Sequence, residues 1–420
     1  MSPHYPATAR LGLGGLALLL VLAGSALPAA AAPAGPADGP GAATVEEQRL
    51  DRAAPQEILR RSGFHAAAPR FRQALERSRS YAQAERAVAR HGAALWRRAV
   101  DRAQGRGRAA GDLSRGDDRP LYWARLALSR ELRTWTPSFA LGAQRHENLN
   151  AALETASRGQ RDVGFPDRRT KRVLVTGFDP FTLDRDVRIA NPSGASALAL
   201  DGTVVRTADG PARIEAVVFP VRWSDFAEGA VERAVARHLP HLDLFTTISQ
   251  GRVGRFDVER TNGAWRGGSP DNENASSTGP VPVTDPGTRP QWTSTTLPYR
   301  RLTQAETGRF PVNDNTQVTE VPAGGTEPVT KPDGPTPGSS ARAGGGGAYL
   351  SNEIAYRVTL LRDRLRLRHL PGGHLHTPVL QFGTENTDPR TGTVTDPEFE
   401  RNRSDIVRQV RELVRTAVAP

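Results

Sequence analysis

The chain of 420 residues contains no cysteine. That excludes disulfide staples, thiolate-bound zinc, covalent haem attachment, thiol catalysis and the acylated cysteine of a bacterial lipoprotein. Lysine is nearly as scarce, occurring only at Lys171 and Lys331, although the formal net charge is +11. The positive charge is therefore almost all arginine, interspersed with acids rather than gathered into a basic face beside a recognisable motif, so no nucleic-acid partner is expected. Long apolar runs are missing beyond the N-terminus, and no membrane span is expected in the mature chain. Hydrophobic residues make up 37%, against 41 glycines and 33 prolines, which leaves material for a core and a sizeable loop fraction besides. The length allows about two to three domains.

What is present begins with an address. Arg10 precedes an apolar run over residues 11–27, and the alanines at 29–32 supply the small side chains that a signal peptidase needs. The expectation is a signal peptide over 1–32 and a secreted protein, followed by a Pro/Ala/Gly linker over 33–44. An uncleaved anchor has a similar pattern.

From 45 to 165 the composition turns to Ala, Arg, Glu and Leu. Helical spacing recurs in Phe71 and Leu75, in Tyr81, Ala84 and Val88, and in Leu121, Ala124, Leu128 and Leu132. Four or five helices are expected, with arginine and glutamate on their solvated faces. At Lys171 the pattern changes. Residues 172–177 read as a buried strand feeding a loop, and further strands are expected at 214–220, 242–249 and 377–382. Helical patterns lie between them at 195–200, 223–237 and 351–367, and a last helix is expected over 405–417. This alternation predicts an α/β domain with a mainly parallel sheet over 171–420, where function gathers at the carboxyl ends of strands. Residues from about 300 to 346, rich in Pro, Gly, Thr and Asn, read as a flexible surface insertion.

Three groups of residues can carry chemistry. Phe178 and Phe181 flank Pro180 at a strand exit, where two aromatic faces can wall a small flat pocket or simply plug the core. Glu259 lies just beyond Gln250, Gly251 and Arg252, well placed to orient an imidazole, although an ion pair with Arg255 or Arg260 is the commoner arrangement. Glycines 344–347 approach Ser351 at a helix start, where free N–H groups favour a developing oxyanion. Serine is equally a preferred helix cap. His376 follows at the mouth of an expected strand. Ser351, His376 and Glu259 thus supply nucleophile, base and orienter for acyl transfer. The spacing of His369, His374 and His376 is too unspecific for a metal site, and no metal or cofactor is expected.

The order of these motifs resembles the pyroglutamyl peptidase I (pyrrolidone-carboxylate peptidase) family of cysteine peptidases. The matching runs are Gly177-Phe178-Asp179-Pro180-Phe181, Asn191-Pro192-Ser193, Glu259-Arg260, Pro270-Asp271-Asn272, Thr295-Thr296-Leu297-Pro298, Gly346 to Asn352, and Leu375-His376-Thr377-Pro378. The resemblance covers roughly 171–420. It implies a three-layer α/β/α fold and removal of N-terminal pyroglutamate (5-oxoproline) from a peptide substrate. It carries the catalytic positions to Glu259, Ser351 and His376, and the lactam-holding positions to Phe178, Phe181 and Gln250. The sequence departs from the family in having Ser351 where the nucleophilic cysteine stands, and in reading Thr261-Asn262-Gly263 after Glu259-Arg260. Two alternatives stay open: a binding protein that keeps the lactam pocket without cleaving, and an envelope-associated protein acting through its helical segment.

Overall fold

The computed structural model describes residues 42–107, 110–165 and 169–419. The expected signal peptide, 1–32, lies outside the described residues, as does most of the linker. Six α-helices come first: α1 (Val45–Arg49), α2 (Ala53–Arg61), α3 (Ala67–Glu76), α4 (Tyr81–Ala103), α5 (Arg119–Thr134) and α6 (Ala143–Ala156). The count exceeds the expected four or five because α1, five residues long, is too short to show a repeat. Of the positions read from the spacing, Phe71, Leu75, Ala84, Val88, Leu121, Ala124, Leu128 and Leu132 are buried, and Tyr81 is half-buried at the edge of the same core.

A seven-stranded sheet follows, built from β1 (Lys171–Phe178), β2 (Thr203–Thr207), β3 (Gly210–Phe219), β4 (Leu244–Gln250), β5 (Phe256–Glu259), β6 (Val312–Asn315) and β7 (Gly372–Thr377). The spatial order is β6-β5-β7-β4-β1-β3-β2. Strands β3, β1, β4 and β7 run parallel, β2 lies antiparallel at one edge, and β5 and β6 pair in parallel with each other but against β7.

Both faces are covered. Val173 and Val175 point into a core shared with α7 (Pro192–Leu200), the last helix and the N-terminal helices, while Leu174 points to the other face with Phe245, Ile354 and Val358. A strand covered on both sides needs apolar residues at successive positions, which is why β1 reads as a continuous run. Each such side chain contributes roughly 1.5–3 kcal/mol by leaving water. On the second face lies α8 (Leu350–Arg364); α9 (Pro397–Val418) closes the chain on the first. The helical segment is thus packed onto the sheet through one continuous core.

Three expectations are corrected. The strand placed at 377–382 is β7, at Gly372–Thr377, so His374 and His376 sit within it. The helix expected over 223–237 is two short ones, Trp223–Ala227 and Ala230–Val235, divided at Gly229 with φ 79°. The stretch read as a flexible insertion contains β6, at the sheet edge, and a three-stranded antiparallel sheet of Val318–Val321, Val329–Lys331 and Ser340–Ala343. Its strands are three or four residues long and polar, too short for alternation to stand out.

The helical segment also holds the loop after β1 by charge. Arg125 of α5, fully buried, donates from Nη2 to Asp179 Oδ1 at 2.5 Å, and Arg158 pairs with the other oxygen. Arg158 also reaches Glu154, which pairs with Arg222. From α1, Glu46 accepts from Tyr122, Arg222 and Asn272, while Arg49 grips Asp184 through two bonds of 2.8 and 2.6 Å. Removing one partner of a buried pair leaves an uncompensated charge and costs about 3–5 kcal/mol. Because Arg158 remains on Asp179, Arg125→Met is expected to lose about 3 kcal/mol. A urea midpoint lowered at unchanged slope would register this, and an unchanged midpoint would show that the pair is not stabilising.

Candidate active site

The site is assembled from the period of the sheet. In the pairing of β7 with its neighbours, His374 lies opposite Thr247 of β4 and Glu259 of β5, and Glu259 lies opposite Asn315 of β6. Two residues along, His376 lies opposite Ser249 and Asp257, and Asp257 opposite Asn313. Residues paired across a sheet, and residues two apart along a strand, share one face. Eight polar side chains thus form two adjacent rows on one face, where a sequence would be expected to place apolar ones.

The rows satisfy each other. His374 is held at Nδ1 by Thr247 Oγ1 (2.7 Å) and at Nε2 by Ser249 Oγ (2.8 Å). His376 Nδ1 meets Glu259 Oε1 at 2.7 Å, a diagonal contact between the rows. The other carboxylate oxygen of Glu259 accepts from Asn315 Nδ2 at 2.7 Å, and the same amide nitrogen donates to the Gly345 carbonyl at 3.0 Å. Glu259 is fully buried and His376 nearly so. A carboxylate on Nδ1 fixes the ring orientation and leaves Nε2 as the basic nitrogen. The ion pairs considered for Glu259 go elsewhere: Arg255 meets Asp257 and Arg260 meets Asp314.

Ser351 occupies the second position of α8. Its neighbour Tyr349 is the cap residue, so the serine is not spent on capping. Asn352 anchors the helix start to the short strand Thr261–Gly263, accepting from the Gly263 N–H (2.9 Å) and donating to its carbonyl (2.8 Å). Glu353 in the first turn takes two bonds of 2.6 Å from Arg266. The first N–H groups of the helix have no partner within it, which makes this end a place for negative charge. Ser351 Oγ donates to the Gly346 carbonyl at 3.2 Å.

A cavity of about 330 Å³ brings together Ser351, His376, Phe178, Phe181 and Gln250, with Tyr349 and Arg252. This is at the small end of the range for small-molecule sites. Phe178 stacks on Phe226 with centroids 6.1 Å apart, and Phe181 faces Tyr349 at 6.2 Å. Gln250 Oε1 accepts from the Leu380 N–H at 3.2 Å. Asn191 caps α7 by accepting from Ser193 N–H, and also donates to the Asp179 carbonyl, tying the two motifs behind the aromatic wall. His369 is exposed on the turn before β7, away from the buried face that carries His374 and His376.

Sequence reasoning missed Asn315, Tyr349 and Arg252 as site residues. Tyr349 stands two residues before Ser351 and two after the glycine run, so it is legible as an aromatic between them. Asn315 carries no local signal, because its role arises only when β6 pairs with β5.

The glycines have a steric reason. A Cβ on Gly345 would stand 2.1 Å from Glu259 Oε2, one on Gly346 2.8 Å from His376 Cε1, and one on Gly251 2.5 Å from His376 Cβ. Real Cβ atoms do not approach so closely, so glycine is required for the backbone to pack on this acid–imidazole pair.

Two family models match the chain: the PA0049 N-terminal domain at residues 29–154, and the PA0049 C-terminal domain at 172–284 and 309–381. A protein of Pseudomonas aeruginosa, described as uncharacterized protein PA0049, is 35% identical over 89% of this chain and 88% of its own length. Among solved structures, two mutants of pyrrolidone carboxyl peptidase from the hyperthermophile Pyrococcus furiosus are each 20% identical, covering 59% of this chain and 97% of theirs, with TM-scores of 0.38 and 0.37.

Two outcomes follow from this geometry. Gly345→Ala must displace Glu259, so the downfield Nδ1 proton resonance of His376 should be lost while far-UV circular dichroism stays native; survival of that resonance would refute the contact. His374 is the second case. Burial, helped by the neighbouring His376, holds its imidazole well below the usual value near 6.5, so it is neutral in the fold. The unfolded chain takes up a proton below about 6.5, so this stability is fully present above that pH and drains away as pH falls. Urea midpoints measured from pH 7.5 to 5 should fall less steeply in His374→Gln than in the parent.

Proposed function

The chain belongs to the PA0049 family, and we propose that its α/β domain is a pyroglutamyl-peptidase-like hydrolase that removes N-terminal pyroglutamate from peptides through Ser351, His376 and Glu259. The observation that carries this reading is the 2.7 Å pair between His376 Nδ1 and Glu259 opening onto the same cavity as the Ser351 hydroxyl and two phenylalanines. The order of motifs along the sequence supports it independently.

In this reading the lactam ring lies against Phe178 and Phe181, with Gln250 meeting its polar edge. The Ser351 hydroxyl turns from the Gly346 carbonyl to His376, which takes its proton as the oxygen attacks the acyl carbon next to the ring. Glu259 stabilises the resulting imidazolium without itself taking the proton. The N–H groups at the start of α8 meet the oxyanion. The imidazolium then protonates the departing amine, and water releases the acyl group by the same steps in reverse. A serine hydroxyl is a far weaker acid than a thiol, so it depends wholly on this base. The leader expected over 1–32 would export the protein to surroundings in which an exposed thiolate is readily oxidised.

A second reading is favoured by one observation. Because Ser351 Oγ donates to Gly346 rather than to His376, a lactam-binding protein without turnover also fits the cavity.

Release of aminocoumarin from a pyroglutamyl-aminocoumarin separates the two. The hydrolase should turn it over, with Ser351→Ala losing about 10⁶-fold in kcat and Glu259→Gln about 10⁴-fold. Iodoacetamide should leave the activity intact, since there is no cysteine to alkylate. Binding of the lactam with no release by the parent protein would decide for the second reading.

A further inference from the structure

Among the described residues that line the cavity, Arg252 alone carries a permanent charge. Arg252 lies on the turn between β4 and β5 with its side chain 43% exposed. Its Nη1 meets Asp257 Oδ2 at 2.9 Å, and Arg255 meets the other oxygen of the same carboxylate at 3.1 Å. Asp257 is only 1% exposed, and its remaining side-chain contact is the neutral amide of Asn313. Two guanidiniums thus share one buried carboxylate, leaving a net positive charge beside the cavity, where Arg252 lines it. No acidic side chain lines the cavity to offset it among the described residues. Glu259 lies behind His376, with its oxygens taken by that ring and by Asn315.

The position of this charge is fixed by the backbone. Gly251 N–H donates to the Thr377 carbonyl at 2.9 Å, and the Arg252 carbonyl accepts from Val379 N–H at 3.0 Å. The turn is therefore stitched to the chain leaving β7, beyond His376. Phe178 and Phe181 belong to the exit of β1, with β4 between that strand and β7. The cavity thus has an aromatic end and a cationic end, with the imidazole toward the cationic one.

We propose that Arg252 determines specificity by selecting pyroglutamyl peptides whose leaving part carries a carboxylate close to the scissile bond. This rests on the hydrolase reading for its orientation: the imidazolium must reach the departing nitrogen, so whatever follows that nitrogen extends past His376 toward Arg252. The carboxylate is either the free end of a dipeptide or an acidic side chain on the first released residue. A guanidinium already committed on one edge to Asp257 keeps its other donors for such an anion, in a fork that matches carboxylate geometry.

The test compares four peptides in two pairs: pyroglutamyl-alanine against its amide, and pyroglutamyl-glutamate amide against pyroglutamyl-glutamine amide. Values of kcat/KM come from the parent protein, and dissociation constants from calorimetry on Ser351→Ala. At low salt the charged member of at least one pair should be favoured about five- to tenfold. The preference should shrink at high salt and approach one in Arg252→Met, with Arg252→Lys retaining part of it. The first pair reports a terminal carboxylate and the second an acidic side chain. Equal values within both pairs, or a preference that survives in Arg252→Met, overturn the proposal. If the anionic peptides bind more tightly but none is cleaved, the hydrolase reading fails and selection by Arg252 stands. If none of the four binds, both fail.

Discussion

The cavity depends on one buried carboxylate. Asp179 stands between the two phenylalanines that wall the aromatic end, and its oxygens are held by Arg125 and Arg158. Both arginines come from the helical segment that precedes the sheet. A loop of this kind, leaving a strand with a proline in it, has few backbone bonds of its own to hold it in place. Ionic contacts from outside the sheet supply what the loop lacks, and Asn272 adds a bond to the Pro180 carbonyl at 2.9 Å. The helical segment, left unexplained by the resemblance, thereby acquires a physical role in placing the site without lining the cavity.

The polar face of the sheet obeys a different economy. Pairing across β4, β7, β5 and β6 puts hydroxyls, imidazoles, carboxylates and amides in two rows, and each row member finds a partner within the rows or beside them. Buried polar groups of this density are tolerable only when they satisfy one another. The reversed direction of β5 matters here, because it sets Glu259 opposite His374 and leaves it within diagonal reach of His376.

What the sequence revealed follows from what makes a signal local. Val173, Leu174 and Val175 announce a doubly covered strand by themselves, and the recurring leucines of α5 announce their buried stripe. The β7 strand begins earlier in the chain than its pattern suggests, because Gly372, Gly373, His374 and His376 show no apolar alternation. The two glycines are there because a Cβ would meet the Phe245 ring at 2.0 Å and Thr295 Oγ1 at 2.0 Å. Glu259, Ser351 and His376 stand out by type and order, whereas Asn315 is hidden in a stretch whose composition reads as loop. Its contact with Glu259 depends on strand pairing between segments far apart in the chain, and no window of sequence contains that information. Arg125 and Arg158 are hidden for another reason, since an arginine in or just after a helix ordinarily reads as solvated surface.

The crowding of glycines 251, 345 and 346 against Glu259 and His376 divides the cavity into two parts with unequal freedom to vary. On that side any added carbon collides with the pair itself, so descendants of this chain can change little there without losing the arrangement altogether. The rest of the lining is made of side chains that project from their backbones, Phe181, Tyr349 and Arg252 among them, and these can be exchanged while the main chain stays where it is. Lineages of this protein can therefore drift in the shape and charge of the cavity while the acid–imidazole pair beneath remains frozen.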